Sequence, residues 1–120
     1  MNETHKFCGI TRLEDALLAT ELGVDALGFV FVPGSRRNIQ PEVAADIAAA
    51  LPPFVSTVAL FMDAAPAEIR AVLASFRPTL LQFHGIETPE DCTPWELPYL
   101  KAVPMGGAVA ATPEQAVQRL

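Results

Sequence analysis

No apolar stretch in these 120 residues approaches the ~20 consecutive positions that a bilayer-spanning helix needs, so no membrane partner is expected. Basic runs are equally scarce. Eight Lys and Arg stand against fourteen Asp and Glu, for a formal charge of −6, and Arg36-Arg37 is the only adjacent Lys/Arg pair. A protein that grips a phosphate backbone must neutralise several phosphates at once, so no nucleic-acid partner is expected either. One pair of guanidinium groups is still ample for a single small anion. Cysteine is limited to Cys8 and Cys92. The opening residues Met1-Asn2-Glu3-Thr4-His5 lack the basic-then-apolar order of a secretion signal. Together these features predict free thiols in a reducing compartment and a cytoplasmic location.

What is present is a globular composition. Hydrophobic residues make up 51% and charged residues 18%, enough to bury a core within one domain over residues 1–120. The stretch from Lys6 to Ala16 sets the pattern. Phe7 and Cys8 end a short apolar run, Gly9 breaks it, and Thr11-Arg12-Leu13-Glu14 reads as a capping box opening a helix. A strand over His5–Cys8 is therefore expected, then a tight turn and a helix over Arg12–Leu22, with Gly23 as a left-handed cap. Asp25–Phe31 is a continuous apolar run suited to a strand buried on both faces, as parallel sheets require.

The same unit recurs. Strands are predicted at Ser56–Phe61, Thr79–Phe83 and Tyr99–Val103. Prolines 41, 66, 89 and 113, separated by 25, 23 and 24 residues, each sit where a helix should begin. Alternating strands and helices require a parallel sheet with right-handed crossovers. Two architectures satisfy this: a five-stranded doubly wound sheet of the flavodoxin type, or about five of the eight units of a (β/α)8 barrel. Length alone favours the doubly wound sheet.

The doubly wound reading brings to mind a phosphorylated receiver or binding module, with Asp63 after the third strand and Lys101 in the fifth. Such a module also needs an acidic pair after the first strand to hold Mg²⁺. Cys8-Gly9 occupies that place.

The barrel reading engages more residues. Lys6-Phe7-Cys8-Gly9-Ile10-Thr11, Asp25-Ala26-Leu27-Gly28-Phe29-Val30-Phe31, Ser35-Arg36-Arg37-Asn38-Ile39 and Leu81-Gln82-Phe83-His84-Gly85 follow one another in order, ending with Leu100-Lys101-Ala102-Val103. These closely resemble the motifs of the phosphoribosylanthranilate isomerases, (β/α)8 TIM-barrel enzymes of tryptophan biosynthesis. The resemblance covers about five of that family's eight units. It implies an incomplete barrel in this chain, and an Amadori rearrangement of N-(5-phosphoribosyl)anthranilate, a small phosphosugar, to 1-(2-carboxyphenylamino)-1-deoxyribulose 5-phosphate. An acid opens the sugar ring to a Schiff base, a base removes the C2′ proton, and the enol amine becomes the ketone. No metal, redox cofactor or nucleotide is implied.

Residue by residue, Cys8 falls on the family's catalytic base. A free thiol with its usual pKa of about 8.5 is only a few per cent thiolate at neutral pH, so a site using it must favour that form. The alternative is a buried strand cysteine. Arg37 falls on the residue that holds the anthranilate carboxylate, a role suited to a planar guanidinium; Arg36 reads as solvated, and Asn38 stands where the family has an aromatic or equivalent residue. Gln82 and His84 fall on substrate-lining positions at the tip of the fourth strand, against a turn histidine capping a carbonyl as the bland reading of His84. Asp63 reads as a solvated or helix-capping acid, Lys101 as either snorkelling out of a buried strand or facing the polar barrel interior near the site, Cys92 as packing, and Met62 and Met105 as strand-end filler.

The family's general acid, an aspartate ending the sixth strand, and its phosphate loops after strands seven and eight have no counterpart before Leu120. The resemblance therefore implies an N-terminal portion of an isomerase. Alone, these residues are expected to be inactive, with open sheet edges that invite self-association.

Overall fold

The computed structural model describes residues 6–101. Five strands alternate with four helices: β1 (Lys6–Cys8), α1 (Leu13–Glu21), β2 (Ala26–Val30), α2 (Pro41–Ala49), β3 (Ser56–Phe61), α3 (Pro66–Ser75), β4 (Leu80–Phe83), the short α4 (Pro89–Cys92) with a 3₁₀ turn at Thr93–Trp95, and β5 (Tyr99–Lys101). His5, residues 102–103 of the fifth strand, Met105 and the helix start at Pro113 lie outside the described residues.

All four strand pairings are parallel, and the sheet order is β1-β2-β3-β4-β5. That order decides between the two architectures. A doubly wound sheet of the flavodoxin type places its first strand inside the sheet, in the order 2-1-3-4-5. Here β1 is an edge of the described sheet, and every strand neighbours its predecessor, as in a barrel wall. The faces agree. Leu27, Phe29, Ala59, Phe61, Leu81 and Phe83 from alternate strand positions share one buried core with Ala16 and Ala19 of α1, Ala44 and Ile47 of α2, Ile69 and Val72 of α3, and Cys92 of α4. All four helices thus cover the same side of the sheet. The opposite face holds a smaller cluster of Ala26, Val58 and Leu60, flanked by Cys8, Val30 and Leu80. The chain has the α/β fold of a TIM-barrel wall, with helices outside and a concave interior face.

Local chemistry accounts for most element ends. Pro41, Pro66 and Pro89 each take the first helical position, where their missing N–H leaves no intrahelical bond unmade. Gly23 has φ +93° after α1, and the N–H groups of Gly23 and Val24 bond the carbonyls of Thr20 and Ala19 at 3.1 and 3.2 Å, the paired bonds of a Schellman cap. The Asp91 carboxylate accepts from the Thr88 N–H at 3.0 Å, closing the predicted start of α4.

The capping box expected at Thr11–Glu14 does not form. Arg12 is extended and occupies the N-cap position with no side-chain cap bond. The acids of the first turn turn outward, with Glu14 and Asp15 at 3.7 and 3.6 Å from the Arg12 guanidinium. These pairs are solvent-exposed and contribute little beyond fixing the arginine.

A row of aromatic rings runs beneath the C-terminal ends of the strands. Phe31 meets Phe61 at 5.8 Å, Phe61 meets Phe83 at 6.0 Å, and Phe83 meets Tyr99 edge-on at 6.0 Å. Phe76, closing α3, touches Phe29 and Phe31 from the helix side. The row spans β2 to β5 and gives the strand tips a common, stiff floor.

Candidate active site

Cys8 is the last residue of β1, and the chain leaves it through Gly9 at φ +87°. The N–H groups of Gly9 and Ile10 both bond the Gly28 carbonyl, at 3.0 and 3.1 Å. Cys8 is in register with Gly28 on β2. A Cβ on Gly28 would lie 2.9 Å from Leu60 Cδ1 and 3.1 Å from the Cys8 sulfur, so glycine at this buried position leaves the thiol its place on the interior face. Within an apolar run, Gly28 reads from sequence merely as a small strand residue.

The long β2–α2 loop brings Arg37 beside Gly9, the residue after Cys8. Pro33 and Gly34 (φ +91°) form a tight turn in which the Ser35 N–H bonds the Val32 carbonyl at 3.0 Å. A second turn follows, with the Asn38 N–H on the Ser35 carbonyl at 3.2 Å and the Arg37 N–H on the Ser35 hydroxyl at 3.1 Å. Asn38 then bridges back to Val30. The loop lays the Arg37 side chain over Gly9, where any Cβ would collide with the guanidinium, 2.6 Å from Nη1. Cys8, Gly9, Thr11, Asp15, Arg36 and Arg37 line one hollow of about 430 Å³.

On β4, Gln82 is 2% exposed and points to the interior face. Its Oε1 accepts from the Lys6 ammonium, and its Nε2 lies 2.8 Å from Nε2 of His84. Because the amide oxygen is taken by a cation, the amide nitrogen must donate to His84. The His84 Nε2 is then an acceptor, and Nδ1 carries the ring hydrogen. Partial burial holds His84 below the ordinary histidine value, the Lys6 charge pushes the same way, and Glu87 opposes. The ring is thus neutral and exposed at the rim. His84 borders a second hollow of about 240 Å³ with Val30, Val32, Ser35, Leu60 and Met62. Met62 is half exposed at that mouth rather than filling a strand end.

The Lys6–Gln82 bond also reports the curvature of the sheet. β1 and β4 are three strands apart, roughly 14 Å in a flat sheet. A lysine and a glutamine on parallel strands meet across that gap only if the sheet curls toward its interior face. Lys6 carries no motif signal beyond its place two residues before Cys8, a spacing that puts both side chains on one face of a strand.

Lys101 lies elsewhere. It is in register with Phe83, on the helix-facing side, so of the two expected arrangements the inward-facing one does not occur. Its ammonium bonds the Gly85 carbonyl and sits 3.4 Å from Glu87, a carboxylate that also accepts from the N–H groups of Asp63 at 2.6 Å and Gly85 at 2.8 Å. Asp63, at φ +52°, accepts from the Ile86 N–H at 2.8 Å, and its carboxylate fills the space a Gly85 side chain would need. It caps no helix; α3 is capped at Ala65, whose N–H bonds Glu68. Asp63, Glu87 and Lys101 instead lock the loops after β3 and β4 to β5. Glu87 sits in an unremarkable loop sequence and has no periodicity or motif to mark it.

Cys92 is 1% exposed in the helix–sheet core, as a packing residue should be. Burial, reinforced by Glu87, pushes its thiol up to about 11. Roughly one in ten thousand such thiols is ionised at pH 7. Iodoacetamide at neutral pH is therefore expected to label Cys8 and leave Cys92 unmodified until denaturant is added. Peptide mass mapping reads both sites; equal labelling of the native chain would contradict the burial of Cys92. Among the described residues no group of three or more His, Cys, Asp or Glu side chains is placed to hold a metal, and no helix is long and apolar enough to cross a membrane.

Residues 5–117 match the family model for N-(5'-phosphoribosyl)anthranilate (PRA) isomerase. The chain belongs to that family. An N-(5'-phosphoribosyl)anthranilate isomerase of Xanthomonas euvesicatoria is 52% identical over 103 residues, covering 86% of this chain and 46% of the relative. The chain therefore spans about half the length of the curated isomerases it matches. The crystal structure of the phosphoribosyl anthranilate isomerase from Thermus thermophilus superposes with a TM-score of 0.81 at 48% identity, over 89% of this chain and 55% of that one. Another phosphoribosyl anthranilate isomerase, solved in complex with reduced 1-(o-carboxyphenylamino)-1-deoxyribulose 5-phosphate, superposes at 0.79 with 43% identity, over 85% of this chain and 54% of that one.

Proposed function

We propose that this chain supplies the cysteine-bearing part of a phosphoribosylanthranilate isomerase active site, acting in the cytoplasm on N-(5-phosphoribosyl)anthranilate. The observation that supports this best is that Cys8, at the tip of β1, and Arg37, from the β2–α2 loop, line the same hollow. Arg37 receives the anthranilate carboxylate as a charge-assisted, forked pair, which fixes the aromatic end of the substrate over Gly9. Ring opening, which requires an acid outside the described residues, leaves an iminium at C1′. The Cys8 thiolate then takes the C2′ proton. The C2′–H electron pair becomes the C1′–C2′ double bond as the iminium nitrogen regains its lone pair, and tautomerisation of the enol amine gives the ketone. His84, held as the Nδ1–H tautomer by Gln82, offers a neutral donor to a sugar hydroxyl at the rim. β1 and β5 each lack a second sheet neighbour among the described residues, so self-association through these edges is part of the same reading.

The test is a chimera in which residues 6–101 replace the matching segment of the Xanthomonas isomerase. Isomerase turnover is expected to be retained. Arg37→Ala in that chimera should raise KM more than it lowers kcat, with kcat/KM falling about 100-fold, the loss of one charged, forked hydrogen-bond pair. A folded chimera without turnover, shown to be folded by circular dichroism, would sink the proposal.

A further inference from the structure

We propose that Lys6 is a positioning residue for His84, acting through Gln82. By holding the oxygen end of the Gln82 amide, its ammonium turns the nitrogen end toward the ring and fixes the His84 hydrogen on Nδ1. The rim then offers a ligand a hydrogen-bond donor and no free ring base. This rests on the reading of His84 as a neutral donor and deepens it, by naming the residue on β1 that sets the ring from across the sheet.

An amide has nearly the same shape either way round, so packing alone does not decide which end meets His84. Lys6 decides it. An ammonium has donors only, and a reversed amide would set donor against donor at a side chain that is 2% exposed. The strand neighbours do not compete. Gln82 is in register with Leu60 on β3 and Leu100 on β5, and Lys6 with Ala26 on β2, none of which carries a polar side-chain atom. His84 is placed to receive the amide nitrogen because its own N–H bonds the Phe61 carbonyl at 2.9 Å, which continues the β3–β4 ladder past Phe83. Residues 82 and 84 therefore share one face, and Gln82 Nε2 meets His84 Nε2 at 2.8 Å.

The ring must be neutral for its tautomer to matter. Burial holds His84 below the ordinary histidine value and the Lys6 charge adds to this, with Glu87 opposing and Lys101 assisting. Lys6 thus acts twice, directly through its charge and indirectly through the amide. A neutral imidazole has one basic lone pair, and here it accepts the Gln82 amide hydrogen. His84 can therefore donate to an oxygen but cannot take a proton, which leaves proton abstraction to another side chain.

The test is long-range proton–nitrogen NMR correlation on the nitrogen-15-labelled 120-residue chain, in which His5 and His84 are the only histidines. It is run at about pH 8, well above the ordinary histidine value of about 6.5. His84 should show a protonated Nδ1 and a bare Nε2; a protonated Nε2 in the parent chain overturns the proposal at once. Lys6→Met should bring the Nε2–H form up to roughly half, because the released amide can present either end. Lys6→Arg, again a cation with donors only, should restore the parent tautomer. An unchanged tautomer in a Lys6→Met chain with native circular dichroism overturns the proposal. If Lys6→Met does not fold, Lys6→Gln takes its place with the same expectation, since its amide end can accept as well as donate. Gln82→Glu, nearly the same size, should put a hydrogen on His84 Nε2, because a carboxylate only accepts; an Nε2 that stays bare counts equally against the relay. The spectra need no substrate, so the two readings fail separately. A ring released by Lys6→Met beside an inactive chimera would leave the relay standing and remove the isomerase, and an active chimera with a tautomer indifferent to Lys6 would do the reverse.

Discussion

Cys8→Ala in the isomerase chimera is expected to lower kcat/KM by about 1,000-fold, within the range a positioned general base contributes, with most of the loss in kcat. That factor corresponds to about 4 kcal/mol of transition-state stabilisation. The fall should be in kcat because proton removal from C2′ is a transition-state event, and Arg37 would still bind the anthranilate carboxylate. Cys8→Ser should fail almost as badly, since a hydroxyl ionises far less readily than a thiol. Stability should barely change. Cys8 is half-buried at a strand end, it is in register with the glycine at position 28, and its strand bonds are made by backbone groups. Steady-state kinetics with thermal melts of the same samples separate the two effects. Near-parental turnover in a stable Cys8→Ala protein would remove Cys8 from the chemistry.

Phe61→Ala should be the most damaging change to the fold, costing about 3–5 kcal/mol of stability. Phe61 is 1% exposed and sits in the middle of the aromatic row, stacked on Phe31 at 5.8 Å and Phe83 at 6.0 Å. Its removal would leave a ring-sized cavity between β2 and β4 that flanking rings cannot collapse into without losing their own contacts. A domain of this size has a total stability of only about 5–15 kcal/mol, so the variant should unfold at far lower urea concentration with an unchanged slope. Phe61→Leu should lose about 1–2 kcal/mol, because a branched aliphatic chain fills part of the gap. A loss below about 1 kcal/mol for the alanine variant would mean that the row is not what holds the strand tips together.

Much of the local structure is legible in the residues because it is decided locally. The prolines at 41, 66 and 89 open helices because their rings preset φ and lack an N–H. Gly23 ends α1 because a left-handed residue is needed there. The apolar runs at Ser56–Phe61 and Ala26–Val30 form strands buried on both faces. At the start of α1 two local signals compete, and the N-cap falls at Arg12, one residue after the apparent cap Thr11, with Arg12 drawing Glu14 and Asp15 to itself.

By itself, then, the chain determines a repeated strand–helix unit, the thiol at the tip of the first strand and the arginine pair in the second loop. Periodicity, helix caps and turn residues act over a few positions, and a sequence displays them directly. Only the tertiary structure decides how the units are ordered. A βαβ unit with the same crossover can be laid beside either edge of the growing sheet, so five units are equally compatible with a first strand inside the sheet or at its edge. Packing all four helices on one face resolves this in favour of the barrel wall. The same curvature decides the site. It brings Lys6 of β1 to Gln82 of β4, and the register of β5 turns Lys101 away from the interior toward Glu87. These are contacts between residues far apart in the chain, and their partners are set by the bend and register of the sheet.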